Sequence, residues 1–458
     1  MSFRKTKQVH FIGIGGSGMS GLAEIVMLMG YKVTGSDLSS SSVTTRLINR
    51  GAKIFQGHIK ENVGDADVVV VSSAINSSNP EIEYAKSKLI PVIPRAELLA
   101  ELMRMKYAIA VAGSHGKTTV TSMIGELLTN SNLDPTIIIG GKVDRLGSGA
   151  RLGEGQYIVT EADESDGSFL NLYSTLAVVT NIDSEHLDYY GNFEEIKNTF
   201  TSFINKVPFY GSGVLCLDDP TIQEIIPNLK KRYLTYGVTT SANFMAREIR
   251  FDKLESSFVF VAFGKEIAEL TISMPGTHNV YNALAALAVA YELDLNLEAA
   301  VKSLDRFKGI ERRTQLKGEY NKIMVIDDYG HHPNEIRATL QAIKKGFPKR
   351  RLVVGFEPHR YSRTRDHMSQ FHRSFYDADL LFVTNIYSAQ EKPIRGVSAE
   401  AIVSGIIEHG KKEARYVESL ELLADRFMEV AQPNDIFLTL GAGSITTVSD
   451  MLVERLSG

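Results

Sequence analysis

The sequence predicts an α/β protein of three domains. Three observations carry that expectation: a length of 458 residues, a βαβ alternation that restarts twice, and a β-rich stretch that interrupts the middle of the chain. At about 150 residues per domain the length alone implies roughly three cores, each large enough to fold by itself.

The first domain is placed at residues 1–106. Apolar Val9 to Ile12, helix-like Met19 to Met29, strand-like Tyr31 to Gly35 and the run DVVVVS at Asp67 to Ser72 alternate as a parallel sheet with crossover helices does. The second domain, 107–313, begins where helix-like RAELLAELMRMK gives way to a strand at Ala108 to Ala112 and a second glycine-rich turn. Between Tyr233 and Pro275 an alternating pattern predicts antiparallel hairpins inserted into it, ending before an Ala-rich helix at Asn279 to Ala290. The third domain, 314–458, restarts the rhythm with strands at Ile323 to Asp327, Leu352 to Phe356, Leu380 to Thr384 and Ile436 to Leu440, and a helix at Glu335 to Lys345.

Composition narrows the function classes. Hydrophobic residues at 43% and charged residues at 23% are globular values, which exclude a disordered or fibrous chain. A net charge of -4 from 50 basic and 54 acidic residues gives no broad basic face for nucleic acid, so any polyanion is met locally. The single Cys216 can form no internal disulfide, and the start MSFRKTKQ leads into no long apolar run. The expectation is a cytoplasmic chain that spans no membrane.

Two glycine loops follow strands. Gly13-Ile14-Gly15-Gly16-Ser17-Gly18 satisfies G-x-G-x-x-G, and Asp37 ends the next strand about nineteen residues on, which predicts a Rossmann-like first domain. Glycines let backbone approach a diphosphate, the following helix presents free N–H groups to it, and Asp37 can bind a ribose hydroxyl. A turn that only packs helix on strand has the same pattern, and the commonest ligand of such a motif is NAD. The second loop, Gly113-Ser114-His115-Gly116-Lys117-Thr118-Thr119, places Lys117 to meet β/γ-phosphates and Thr118 to hold magnesium, as in a P-loop ATPase-like domain. It departs from G-x-x-x-x-G-K-[ST], because position 111 is Val111.

A magnesium-bound triphosphate needs further ligands. Glu161, at the end of strand Tyr157 to Thr160, and His186, beyond strand Ala177 to Asn181, are expected at the same carboxyl edge as Thr118. Taken singly, EADESD reads as a solvated acidic turn and His186 as a surface residue. Arginines in PHRYSRTR, clustered after a strand, suit a carboxylate or phosphate clamp.

Two phosphate loops in this order, followed by EADESD, TNIDSEHLDYY, PGTHNVYNALAA, DDYGHHP and PHRYSRTR, resemble the Mur ligase family nearly end to end. In that family GSHGKTT is the expected ATP loop, so the shorter glycine spacing becomes support. The pattern Gly13 to Ser20 resembles the member whose first domain holds a UDP-sugar rather than NAD. The likeness implies three domains: N-terminal Rossmann-like, central P-loop ATPase-like with a β-rich insertion, and C-terminal Rossmann-like. It implies Gly15, Ser17, Gly18, Met19, Asp37, Ser72, Ser73 and Arg95 around the UDP-sugar. Around ATP it implies Ser114, Gly116, Lys117, Thr118, Thr119, Asn279, Asn282 and Asp328, although an Asn near a helix start is also a common N-cap. Tyr329, His331, His359, Arg360 and Arg363 would gather at the acceptor end, with His332 close by. Position 201 is Thr201, where related ligases carry a carbamylated lysine, so a second magnesium has less support.

The implied reaction joins the carboxylate of UDP-N-acetylmuramate to L-alanine, using ATP with Mg2+, in peptidoglycan precursor synthesis. The carboxylate first becomes an acyl phosphate. Lys117, Glu161 and His186 would serve phosphoryl transfer, and His331 or His359 would deprotonate the amine, inside a site that closes against water. Small molecules are the expected partners, with no nucleic acid and no membrane, in a monomer or homodimer. Three rivals stand beside it. A recycling ligase adding a tripeptide to the same sugar lacks the GIGGSGMS form, an NAD-dependent dehydrogenase leaves GKTT without a purpose, and a non-catalytic nucleotide switch leaves the histidine and arginine clusters idle.

Overall fold

The computed structural model describes residues 5–72, 74–143, 148–389, 391–410 and 413–458. Three sheets follow one another along the chain. The first contains β1 (Gln8–Ile12), β2 (Lys32–Asp37), β3 (Lys53–Gln56), β4 (Val68–Val71) and β5 (Val92–Pro94) in the order β3-β2-β1-β4-β5. Neighbours are parallel, with Val9 opposite both Val33 and Val68. Val9, Phe11 and Ile12 are buried on alternating faces, which is why β1 reads as an apolar run rather than as an alternation.

The second sheet contains β6 (Tyr107–Ala112), β7 (Thr136–Val143), β8 (Ser148–Arg151), β9 (Tyr157–Glu161), β10 (Leu176–Val179), β11 (Ser212–Cys216), β12 (Tyr233–Gly237), β13 (Phe244–Asp252), β14 (Glu255–Ala262) and β15 (Lys265–Ile272). Its order is β15-β14-β13-β12-β11-β10-β6-β9-β7-β8. Strand β6 lies between β10 and β9 and is parallel to both. The chain therefore leaves β6 toward one side and returns on the other, so the turns at the carboxyl ends of these three strands open a crevice suited to a ligand.

The β-rich stretch differs in one respect from the pattern read in the sequence. Strand β12 pairs parallel with β11 and with β13, so it belongs to the parallel sheet. Only β13, β14 and β15 are joined by the two-residue links 253–254 and 263–264, which are too short for a parallel crossover.

The third sheet contains β16 (Gln315–Tyr320), β17 (Ile323–Asp328), β18 (Arg351–Phe356), β19 (Leu380–Thr384), β20 (Ala414–Val417) and β21 (Asp435–Leu440), in the order β16-β17-β21-β18-β19-β20. Only β16 is antiparallel to its neighbour. Ile326, Leu340, Phe356 and Phe371 build the core on one face, and Val325, Val353, Phe382 and Phe437 build it on the other.

By its contacts the chain forms two compact units. One comprises Met1–Arg247, Val259–Ala268 and Tyr281–Leu304, and the other Glu248–Phe258, Glu269–Val280 and Asp305–Gly458. Among the described residues no helix is long and apolar enough to cross a membrane.

Phe356 is fully buried and packs against Phe371 and Phe375 at ring-centroid distances of 5.6 and 5.1 Å. Phe356→Ala is expected to remove about 3–5 kcal/mol of stability, measured as an earlier urea transition.

Candidate active site

The loop after β6 is shaped by two glycines that no other residue replaces without strain. Gly113 has φ 129°, and a Cβ there would collide with Thr180 Oγ1 and lie 2.9 Å from Asn181 O. Gly116 has φ 86°, and a Cβ there would approach Asn282 Oδ1 at 2.6 Å. Gly116 caps helix Lys117–Asn130, which has no acidic residue in its first turn, so no side chain of that turn offsets its positive end. Neighbouring chain clamps the loop from outside. Asn181 Nδ2 donates to His115 O at 3.0 Å, its Oδ1 accepts from His115 N at 2.9 Å, and Asp183 N donates to Ser114 Oγ at 2.9 Å.

Lys117 Nζ donates to Gly113 O at 2.6 Å and to Glu164 Oε1 at 2.7 Å. Burial opposes the ammonium, but Glu164, with Glu161 and Glu185 behind it, holds its pKa above the ordinary lysine value. Glu164 is only 4% exposed, and Tyr190 OH donates to its main-chain carbonyl. EADESD is thus not simply a solvated turn. Atoms of Glu164, Glu185 and His186 lie within 4.8 Å of one another, and Glu164 Oε2 is buried with no hydrogen-bond partner among the described residues. Oxygen and imidazole ligands around an orphaned carboxylate oxygen fit a small divalent cation. Glu161 ends β9 and Thr118 is the second residue of the helix, at the same sheet edge. Glu164 and Glu185 carry no distinguishing signal in the sequence, although both lie inside the quoted motifs.

The first glycine loop has a similar build. Gly15 N donates to Asp37 Oδ2 at 2.8 Å, so the carboxylate read as a ribose ligand also braces the loop. Arg95 begins helix Arg95–Arg104 and lies against Gly18, where a Cβ would stand 3.0 Å from its Nη1. Arg95 Nη2 also meets Asp163 Oδ2 at 3.3 Å. Ser72 and Arg95 line one cavity of about 330 Å³ with Lys86 and Asp166. Met19 is buried beneath the loop, so its side chain supports it from below. Ser17 starts helix Ser17–Leu28, and Ser73 lies outside the described residues.

Helix Thr277–Glu292 carries Asn279 and Asn282. Asn282 stands against Gly116, whereas Asn279 Nδ2 donates to Pro275 O at 2.8 Å. Thr119 is buried. The Asp328 carboxylate accepts from Thr314 N at 2.7 Å, Thr314 Oγ1 at 3.1 Å and Gly330 N at 2.8 Å, so it is committed to holding two turns rather than to facing solvent.

Beyond β17 and β18 the residues expected at the acceptor end form one cluster. Arg312 and Arg313 lie over the Tyr329 ring at 5.1 and 5.2 Å, and His331 meets its edge at 5.3 Å. His359 stacks on Tyr387 at 5.4 Å and lies 5.7 Å from His331. Arg360 takes φ 73°, a strained value for a side-chain-bearing residue, and its N donates to Tyr387 O at 2.8 Å. His332 caps helix Pro333–Gly346, its ring accepting from Asn334 N, so its Nδ1 has a structural role.

The hydrogen bonds fix both tautomers. A carbonyl can only accept, so His331 Nδ1 donates to Tyr329 O at 3.0 Å, leaving the Nε2 lone pair of a neutral ring. A guanidinium can only donate, so His359 Nδ1 accepts from Arg363 Nη1 at 3.1 Å and Nε2 carries the proton. Burial lowers the His331 pKa to about 4. Burial and then Arg363 lower that of His359 to about 3.

Comparison with known proteins covers the whole chain. The Mur ligase family catalytic domain matches residues 8–107, the Mur ligase middle domain residues 111–290, and the Mur ligase glutamate ligase domain residues 312–443. A UDP-N-acetylmuramate–L-alanine ligase of Geotalea uraniireducens (strain Rf4) is 54% identical over 456 residues, covering 100% of this chain and 99% of its own. The enzyme of the same name from Geobacter sulfurreducens is 54% identical over 455 residues, 99% of this chain and 98% of its own. Among solved structures, the UDP-N-acetylmuramate–alanine ligase of Thermotoga maritima superposes with a TM-score of 0.83 at 30% identity, over 98% of this chain and 99% of that one. A murein peptide ligase from Psychrobacter arcticus gives 0.71 at 25% identity, over 99% of each.

The histidine cluster makes stability depend on pH with a definite sign. Both folded-state values lie below the unfolded value of about 6.5, so the stabilising contribution is complete above that pH and is lost as pH falls toward the folded values. The thermal midpoint of the full chain is expected to drop between pH 7 and pH 4.5, and to drop less in His331→Asn, as read by scanning calorimetry.

Proposed function

Because the chain belongs to the Mur ligase family, we propose that its two glycine loops divide one ligation between them. The loop at Gly13–Gly18 receives the diphosphate of UDP-N-acetylmuramate, and the loop at Gly113–Thr119 receives the triphosphate of ATP. The chain is an ATP-dependent ligase of peptidoglycan precursor synthesis that joins the carboxylate of UDP-N-acetylmuramate to L-alanine and releases ADP and phosphate. The geometric observation that carries the site reading is Lys117, on a phosphate loop at the carboxyl edge of β6, beside the set Glu164, Glu185 and His186. We assign the work to the cytoplasm, where ATP and the sugar nucleotide are supplied.

A carboxylate and an ammonium do not condense in water unaided. The muramoyl carboxylate oxygen attacks the γ-phosphorus, the bond to ADP breaks, and an acyl phosphate forms. The amine of alanine then attacks its carbonyl carbon and phosphate leaves. Once engaged by the triphosphate, Lys117 supplies positive charge to the transferring phosphoryl group as charge develops there. Mg2+ would be held by Thr118, Glu161 and His186, joined by Glu164 and Glu185, and would supply further positive charge against the phosphate oxygens. Arg360 and Arg363 orient carboxylates at the acceptor end. Of the two rings only His331 presents a lone pair at Nε2, whereas His359 Nε2 holds a proton. His331 takes the ammonium proton once the negative charge of the bound substrates beside Arg313 and Arg363 raises its basicity from the low value set by burial.

The domain boundaries we propose are 1–106 for the sugar-nucleotide domain, 107–313 for the ATP domain and 314–458 for the third. The tripeptide ligase remains a second reading through the Psychrobacter neighbour, but full-length identities of 54% favour L-alanine as acceptor. Phosphate release with UDP-N-acetylmuramate is expected with L-alanine and not with the tripeptide; the reverse outcome would overturn the assignment.

Lys117→Ala should reduce turnover by about 100- to 1000-fold or more while leaving UDP-N-acetylmuramate binding by calorimetry unchanged. Because that variant strands Glu164 as a buried charge, at a cost of about 3–5 kcal/mol, the double variant Lys117→Ala/Glu164→Gln serves as the folding control. His331→Gln should slow amide formation by about 100- to 10,000-fold and leave single-turnover formation of the acyl phosphate intact.

A further inference from the structure

The two oxygens of Glu164 have unlike surroundings. Oε1 holds the Lys117 ammonium at 2.7 Å, while Oε2 is buried without a hydrogen-bond partner among the described residues. A carboxylate so placed is stable only while a cation faces it, because burial without compensation is costly. Two kinds of cation have access. One is Lys117, whose ammonium already holds the place. The other is a divalent ion, for which Glu164, Glu185 and His186 offer one ligand atom each within 4.8 Å of one another. His186 Nε2 itself stands 3.7 Å from Glu185 Oε2.

We infer that Glu164 exchanges partners during nucleotide binding: it holds Lys117 in the nucleotide-free chain and passes to the divalent cation, beside Glu185 and His186, when the triphosphate draws the ammonium away. The inference rests on reading Gly113–Thr119 as the ATP loop. Its consequence is selectivity. A triphosphate that arrives without a cation must take Lys117 from Glu164 and leave a buried carboxylate uncompensated, whereas a cation-loaded triphosphate replaces the charge that it removes. Glu164 therefore discriminates against metal-free ATP, beyond any share in turnover.

The test uses the full chain, the non-hydrolysable analogue adenylyl methylenediphosphonate with and without Mn2+, calorimetry for the nucleotide and electron paramagnetic resonance for free Mn2+. In Glu164→Gln the metal-free analogue is expected to bind about tenfold tighter than in wild type, and the nucleotide complex to hold Mn2+ about tenfold more weakly. Metal-free affinity that is unchanged or reduced, or unchanged Mn2+ affinity, would overturn the exchange. Lys117→Met gives a second arm that does not need the glutamine variant to fold. Without its lysine, Glu164 should bind Mn2+ more tightly in the nucleotide-free chain, and equal or weaker binding counts against the proposal. Wild type that binds neither form of the analogue would instead sink the ATP-loop reading itself.

Discussion

A half-buried lysine ammonium at a strand-to-helix turn needs an opposite charge, and the arrangement of the central site follows from that need. Lys117 meets it through Glu164 at 2.7 Å, with its own loop carbonyl at Gly113 as a second acceptor. The pair matters because a buried carboxylate such as Glu164 is stable only while an opposite charge faces it. Tyr190 OH therefore fastens the carbonyl of Glu164, and Thr180, Asn181 and Asp183 fasten the loop from the end of β10. The strand order β10-β6-β9 lets one central strand present its loop to turns on both sides.

The same turn also reaches the first loop. Asp163 and Glu164 are adjacent, and they hold Arg95 and Lys117 respectively. Each cation belongs to a different proposed phosphate site. Two loops that look independent along the chain are thus tied through consecutive residues of one turn.

The third-sheet cluster solves a different problem. Carboxylate recognition gathers arginines, and histidines beside arginines lose their protons as like charges accumulate. Burial first, and Arg363 with it, keeps His359 neutral, while Glu335 opposes that effect at His331 without reversing it. Acid–base function in such a setting is decided by tautomer rather than by charge. The opposite hydrogen-bond roles of Tyr329 O and the Arg363 guanidinium set the two rings in opposite senses.

Much of this protein is legible in its sequence. Apolar runs and helical periods are local signals, so the three sheets, both glycine loops and the resemblance to the Mur ligase family can be read directly, with element ends displaced by a few residues. Thr235 and its neighbours in β12 escape such a reading because alternation does not distinguish a parallel strand from a hairpin strand. Glu161 and Glu164 are chemically identical letters three residues apart, and only tertiary packing buries the second against Lys117. Asp328, His332 and Met19 likewise carry structural contacts that a string does not show: turns, a helix cap and a core. Periodicity survives in one dimension because backbone geometry imposes it. A side chain's partner does not, because it depends on which distant segments the packed sheets bring within hydrogen-bond reach.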